Sequence, residues 1–383
     1  MQRSRVVVIG AGAFGGWTAL FLLRRGAQVT LIDAWGPGNS RASSGGETRI
    51  IRGGYGPNQP YTAMAARALF LWREHEVRWS RRLLHRTGVL WMAREDDAFE
   101  RGSVAELRAN GLPHEELSVH ELKQRWPQIN FDGITWGLYE IEAGYLLART
   151  SCQAVVESFI AEGGEFRQAW VDVDGIESQS SGKIRLSSGE QLAADQFVFA
   201  CGPWLGSLFP EAIGDKIRAS KQEIFFFGTP KADDAYDDTK LPVWADHGEQ
   251  FYYGIPGNQF RGFKIADDTR GKPFDPTSGE RVVDMANLNR IRKYVALRFP
   301  GMKDAPIVET RVCQYENTPD NNFIIDRHPS AENVWIVGGG SGHGFKHGPA
   351  LGEMVARLVL EDGLSDEVFR LKRFAVPVHG GIR

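Results

Sequence analysis

Apolar positions along the chain fall into a few recurrent arrangements. Residues 5 to 9, RVVVI, hold an apolar run from Val6 that is bounded by glycine at 10, which predicts a buried strand. Phe14 to Arg25 repeats apolar residues at helical spacing until Gly26, and AQVTLID then predicts a second strand, so the chain opens as a βαβ unit. Helical spacing returns over Tyr61 to Trp79 and over about Leu147 to Glu162, the latter stopped by Gly163 and Gly164. The charged stretch 93 to 125, punctuated by Pro113 and Pro127, predicts short helices and loops.

Alternating strands are expected in EFRQAWVDVDGIE (165 to 177) and in KIRLSSGEQL, with Gly189 and Glu190 as a tight turn. QFVFACG (196 to 202) predicts a buried strand leading to a helix start at Pro203. Residues 218 to 269 alternate and are rich in aromatics, as in a mixed or antiparallel sheet, with PGN at 256 to 258 as a hairpin turn. NVWIVGGGSGHGFKHGPALGEMVARLVL, from 333, repeats the opening order of strand, glycines and helix. Nucleotide-binding elements are therefore expected at 1–88, 150–217 and 319–383, with substrate-domain material inserted at 89–149 and 218–318.

A length of 383 residues suits about two domains of ~150 residues each. The formal charge of −3 is scattered, which argues against nucleic-acid or membrane partners and leaves small-molecule chemistry. Cys152, Cys201 and Cys313 are odd in number and far apart, so neither a disulfide framework nor a metal site is expected, and a reducing cytoplasm fits best. RSR followed by an uncharged run imitates a targeting signal, but the spacing of its glycines fits a strand, a turn and a helix better.

Gly10, Gly12 and Gly15 form G-x-G-x-x-G between the first strand and helix. The first allows a tight turn, the second close approach to a pyrophosphate, and the third close helix–strand packing. Asp33 ends the second strand, where a carboxylate accepts hydrogen bonds from an adenosine ribose. No Arg or Lys follows it, which disfavours NADP and leaves FAD or NAD.

The stretches SSGGETRIIRGGYG (43 to 56), FYYGIP, Lys264, CQYENTPDNNFIIDRHP and GGGSGHGFKHGP together resemble the monomeric sarcosine oxidase and N-methyltryptophan oxidase family of flavoproteins. That resemblance selects FAD. It implies an α/β fold, a Rossmann-like FAD-binding domain with an inserted α+β substrate domain on a mixed or antiparallel sheet, and a monomer. It makes Cys313 the attachment point of a covalent flavin, through a thioether to the 8-methyl carbon. Ser43, Gly202, Gly342 and Gly344 are assigned to the flavin with Gly10, Gly12, Gly15 and Asp33. Arg49 is placed beside the ring, Arg52 and Lys346 on the substrate carboxylate, and Lys264 where electrons pass to oxygen.

Tyr253, Tyr315 and His343 are expected around the same pocket, although tyrosines there could equally be core residues. A lysine on a strand is more often a solvent-facing edge residue, as Lys264 could be. His347 carries no such implication. The sequence departs from the family at Asp268, where a histidine is usual, and at Trp244, which replaces a more slender residue. These departures put sarcosine itself in doubt and suggest a larger N-substituted amino acid or one with a cationic group. The expected activity is an FAD-dependent oxidase of secondary amino acids that yields an imine and hydrogen peroxide; the rivals are a flavin dehydrogenase with another acceptor, an NAD-linked dehydrogenase and a non-catalytic nucleotide-binding protein.

Overall fold

The computed structural model describes residues 3–57, 60–172, 182–230 and 234–375. Arg5–Ile9 is a strand, Ala13–Arg24 a helix and Gln28–Asp33 a strand parallel to the first. The uncharged N-terminal run is thus a strand, a turn and a helix, and no helix among the described residues is long and apolar enough to cross a membrane.

A six-stranded sheet collects strands in the order Ile324–His328, Ala331–Gly338, Gln196–Phe199, Arg5–Ile9, Gln28–Asp33 and Glu165–Gln168. All pairs are parallel except the first. Alternate residues of the first strand enter two different cores: Val6 and Val8 pack under the helices, whereas Val7 and Ile9 pack with Phe197, Leu205 and Phe209 on the opposite face. Burial on both faces is why such a strand reads as an unbroken apolar run. Ala13–Arg24 packs against Gly348–Leu360 so closely that a Cβ on Gly352 would lie 2.6 Å from the Trp17 backbone.

The eight-stranded sheet runs Ile307–Asn317, Arg218–Phe227, Phe263–Asp267, Tyr252–Ile255, Val243–Asp246, Val89–Ala93, Trp136–Glu140 and His114–Ser118. Only Val243–Asp246 and Val89–Ala93 pair in parallel. One face packs on the helix Met285–Arg298, and Trp244 lies wholly inside that core between Phe263, Tyr294 and Phe299. The expectation that Trp244 reshapes a substrate pocket is therefore corrected, because its ring points away from the cavity described below. A third sheet, Thr48–Ile51 with Gly144–Leu147 and Leu84–His85, carries Arg49.

Several local expectations need adjustment. The stretch 93 to 125 holds a full helix, Ala98–Ala109, and an edge strand, His114–Ser118, whose polar sequence HEELS has no apolar alternation to reveal it. The hairpin around PGN closes through a longer connection, with Gln259, Phe260 and Gly262 all at positive φ. Gly262 lies just outside the strand that holds Lys264. The turn at Gly189 (φ +89°) joins Lys183–Arg185 to Gln191–Ala193 as expected, while residues 173 to 177 of the predicted alternating stretch lie outside the described residues.

Candidate active site

The turn after the first strand leaves no room for side chains where the glycines stand. A Cβ on Gly10 (φ +104°) would meet the Ala200 carbonyl oxygen at 2.3 Å, and one on Gly15 would meet the Gly10 carbonyl oxygen at 1.9 Å. Gly12 is the N-cap of the first helix and caps it with no side chain, so the helix end faces a groove. Ser44 Oγ accepts the Ala13 N–H at 3.0 Å. Asp33 closes the far side, accepting the N–H groups of Ala11, Trp35 and Gly36 at 2.8, 2.9 and 2.8 Å. Burial pushes its carboxyl up, and those three donors oppose the shift. The groove continues past Ser43, Gly202, Glu316, Gly340, Gly342 and Gly344, and the rings of Trp35, Trp170 and Trp204 cluster at its Asp33 end.

At the other end the groove meets a wide cleft of 2190 Å³, well above the ~300–1,000 Å³ of an ordinary small-molecule pocket. Arg49 and Cys313 sit at the junction. The Arg49 guanidinium donates to the Ser43 carbonyl at 2.7 Å, to its neighbour Thr48's carbonyl at 2.9 Å, and to Cys313 Sγ at 3.2 Å. A cation against a sulfur is the setting in which cysteines react as thiolates. Burial pushes the Cys152 thiol up to about 12 and raises Cys201 as well.

Lys264 is only 3% exposed, contrary to the solvent-edge reading, because Phe263–Asp267 is an interior strand. Its Nζ donates to the Thr48 carbonyl at 2.9 Å and to Thr48 Oγ1 at 3.3 Å, and it lines the cleft. Burial, with Arg49 adding repulsion, lowers its pKa to about 7.

A second cationic group gathers around Tyr55. Its hydroxyl accepts from Lys346 Nζ at 2.8 Å and is left to donate to His347 Nε2 at 2.7 Å, with His343 Nδ1 at 3.3 Å. The Arg52 guanidinium lies over the Tyr55 and Trp91 rings at 4.3 and 4.8 Å and donates to the Gly54 carbonyl. Lys346 also donates to the His343 carbonyl at 2.8 Å. Burial holds Lys346 well below the ordinary lysine range, and burial together with the Lys346 charge pushes His343 down to about 3 and His347 far down as well. These imidazoles are neutral at physiological pH. The neighbouring carboxylate Glu140 is already taken up by the N–H groups of Gly53, Gly54 and the Trp91 indole at 2.6, 3.0 and 2.8 Å. Positive charge at this wall of the cleft is therefore carried by the Arg52 guanidinium, while burial disfavours the proton on Lys346.

On the facing wall the Tyr315 hydroxyl donates to Asp268 Oδ1 at 2.8 Å, and Tyr253 hydroxyl lies 3.2 Å from that of Tyr315. Burial raises both phenols, and it raises Asp268 to about 6, against the pull of Tyr315, Arg52 and Arg270. Asp268 thus lines the cleft together with Arg52 and Lys346.

A model of the FAD dependent oxidoreductase family matches residues 5–358. The chain belongs to that family. This FAD-dependent oxidoreductase is 29% identical over 382 residues to the monomeric sarcosine oxidase of Bacillus sp. (strain NS-129), with 97% of each chain covered. It is also 29% identical over 385 residues to the N-methyl-L-tryptophan oxidase of Salmonella arizonae, covering 97% of this chain and 99% of that one. Among solved structures, the L-proline dehydrogenase from P.horikoshii matches with a TM-score of 0.84 at 20% identity over 98% of both chains. Fructosyl peptide oxidase from E. terrenum matches with a TM-score of 0.80 at 23% identity, over 96% of this chain and 92% of that one. At those identities the likeness is one of fold.

The groove of this FAD-dependent oxidoreductase suits a dinucleotide: a helix N-terminus capped by glycine for phosphates, a half-buried acid beyond it, and aromatic faces beside that acid. Its site also contains residues that sequence reasoning passed over. Tyr55, the hub of the cationic group, stands in RGGYG with no periodic signal around it. Glu140 and Trp91 belong to strands whose other residues are ordinary core. His347 joins the Tyr55 network although it was given no role, and Thr48 and Glu316 lie inside quoted motifs, where a polar residue between assigned ones was the available clue.

Proposed function

We propose that the protein is an oxidase of secondary, N-alkylated amino acids that uses oxygen as electron acceptor, with FAD attached through Cys313. The observation that carries this reading is the arrangement of four basic side chains about one cleft: Lys264 and Arg49 beside Cys313, and Lys346 with Arg52 opposite Asp268. FAD would lie along Gly10, Gly12, Gly15, Asp33, Ser43, Gly202, Gly342 and Gly344; when bound it would supply a two-electron acceptor for the hydride leaving the carbon next to nitrogen and pass those two electrons on to oxygen.

The chain's own groups orient and charge the reaction. Arg52 and Lys346 hold the substrate carboxylate, Arg by a planar pair of donors and Lys as a point charge. A carboxylate there would restore the proton that burial disfavours on Lys346, and Tyr55 keeps its Nζ in place. Tyr253 and Tyr315 wall the reacting carbon and orient Asp268, and His343 closes the side near Lys346. Lys264, charged below about pH 7, favours electron transfer to oxygen. Asp268 and the aromatic walls Trp91, Phe99 and Phe251 suit a substrate larger than sarcosine or one bearing a further cationic group. The reading includes a monomeric cytoplasmic enzyme, with residues 1–88, 150–217 and 319–383 forming the FAD-binding domain and 89–149 and 218–318 the substrate domain. The N-methyl-L-tryptophan and sarcosine oxidase relatives support this substrate class.

A direct test mixes purified protein anaerobically with a panel of N-methyl, cyclic and sugar-modified amino acids. Bleaching of a flavin spectrum that air reverses with formation of peroxide is expected. A colourless protein, or bleaching reversed only by an artificial acceptor, would overturn the reading.

A further inference from the structure

The groove contains one carboxylate that the roles above leave unused. Glu316 is 8% exposed, on the strand Ile307–Asn317 three residues beyond Cys313. Its Oε1 accepts the Gly340 N–H at 3.1 Å, whereas its Oε2 is buried with no hydrogen-bond partner. Buried carboxylate oxygens are rarely left this way, because the lost hydration is not replaced. The surroundings are shaped to the side chain: a Cβ on Gly340 would lie 2.8 Å from Oε1, and one on Gly202 would lie 2.8 Å from Oε2. The side chain lines the groove itself and not the cleft.

We propose that Glu316 anchors the ribityl chain of the flavin cofactor, its free Oε2 accepting a hydrogen bond from a ribityl hydroxyl. This rests on the placement of FAD along the groove proposed above. The chemistry of the site selects the ligand group. No Lys, Arg or His among the described residues forms an ion pair with Glu316, so a phosphate there would face an unscreened carboxylate. A neutral donor is required. The adenosine end is occupied by Asp33 and the three tryptophans, and between the ring at Cys313 and the phosphates at the first helix the cofactor offers only the hydroxyls of its polyol linker. Burial lifts the Glu316 carboxyl to about 7, opposed only by the Gly340 N–H; a hydroxyl donor would draw it back down.

The test uses the full chain carrying Cys313→Ala, so that cofactor binding is reversible. Apoprotein with Glu316 intact and apoprotein with Glu316→Leu are titrated, by quenching of flavin fluorescence, with FAD and with FAD analogues lacking the 2′, 3′ or 4′ ribityl hydroxyl. Protein with Glu316 intact is expected to bind one of the analogues about tenfold or more weakly than FAD, the loss of one charge-assisted hydrogen bond. Glu316→Leu is expected to bind FAD more weakly and to lose that discrimination. Equal binding of FAD and all three analogues when Glu316 is intact would overturn the proposal whether or not the Leu variant folds, as would unchanged discrimination in Glu316→Leu. Failure to take up FAD at all would overturn the functional reading, and this proposal with it.

Discussion

Glu140 is the best place to test how the fold serves the cationic cluster. Its carboxylate, 3% exposed, receives the N–H groups of Gly53 and Gly54, the two residues that follow Arg52, and the indole of Trp91. Arg52 in turn donates to the Gly54 carbonyl and stacks on Trp91, so a single side chain fixes both supports of the guanidinium. In Glu140→Gln one oxygen can still serve Gly54 and Trp91, which share Oε1, but the new amide nitrogen faces the Gly53 N–H donor to donor across 2.6 Å. Losing one charge-assisted bond and stranding a buried donor costs about 2–4 kcal/mol. Urea unfolding followed by tryptophan fluorescence should show that loss. Binding of a simple carboxylate such as benzoate, followed through the flavin spectrum, should weaken about tenfold, because a displaced Arg52 forfeits at least ~1.4 kcal/mol of carboxylate binding. The flavin content should be unchanged. A stability loss below ~0.5 kcal/mol, the range of a neutral surface substitution, together with unaltered benzoate binding would refute the reasoning.

Three further outcomes are expected. Lys264→Met should slow the reaction with oxygen about 10²-fold or more while sparing amine-dependent flavin reduction, as stopped-flow half-reactions can separate. The lowered lysine pKa also fixes a sign: in the parent enzyme the oxygen step should slow as pH rises through about 7, where Nζ loses its proton, and this dependence should vanish in the variant. Asp268 is neutral below about pH 6 and a carboxylate above it, so kcat/KM for substrates with a second cationic group should rise through that pH, and Asp268→Asn should flatten the rise and lower the plateau roughly tenfold or more. Acid precipitation should leave the parent protein yellow and Cys313→Ala colourless, with the flavin in the supernatant.

The legible parts of this molecule were those where one stretch of sequence makes its own structure. The glycines at 10, 12 and 15 act on a turn and helix within a few residues, and the strand–glycine–helix order near the C-terminus is just as local. Lys264 was harder, since its burial comes from strands on both sides and from Thr48, which lies far away in the chain. Trp244 misled because a strand residue can face either side of its sheet, and which side holds the core depends on the helix Met285–Arg298 packed there. The strand HEELS was invisible for a related reason: an edge strand earns its place through backbone pairing with Trp136–Glu140, which leaves no mark on side-chain pattern. Tyr55 and Glu140 became visible only when residues 52 to 56, 140 and 343 to 347 stood together.

The position of the first strand has a consequence for biosynthesis. Arg5–Ile9 finds one neighbour at once in Gln28–Asp33 but the other only in Gln196–Phe199, and that strand must itself await Ala331–Gly338. Until the ribosome has released those late residues, an apolar strand stands at the margin of the growing sheet with unpaired peptide groups, a state prone to self-association. Nascent chains stalled before Ala331 should therefore depend on chaperones far more than full-length ones.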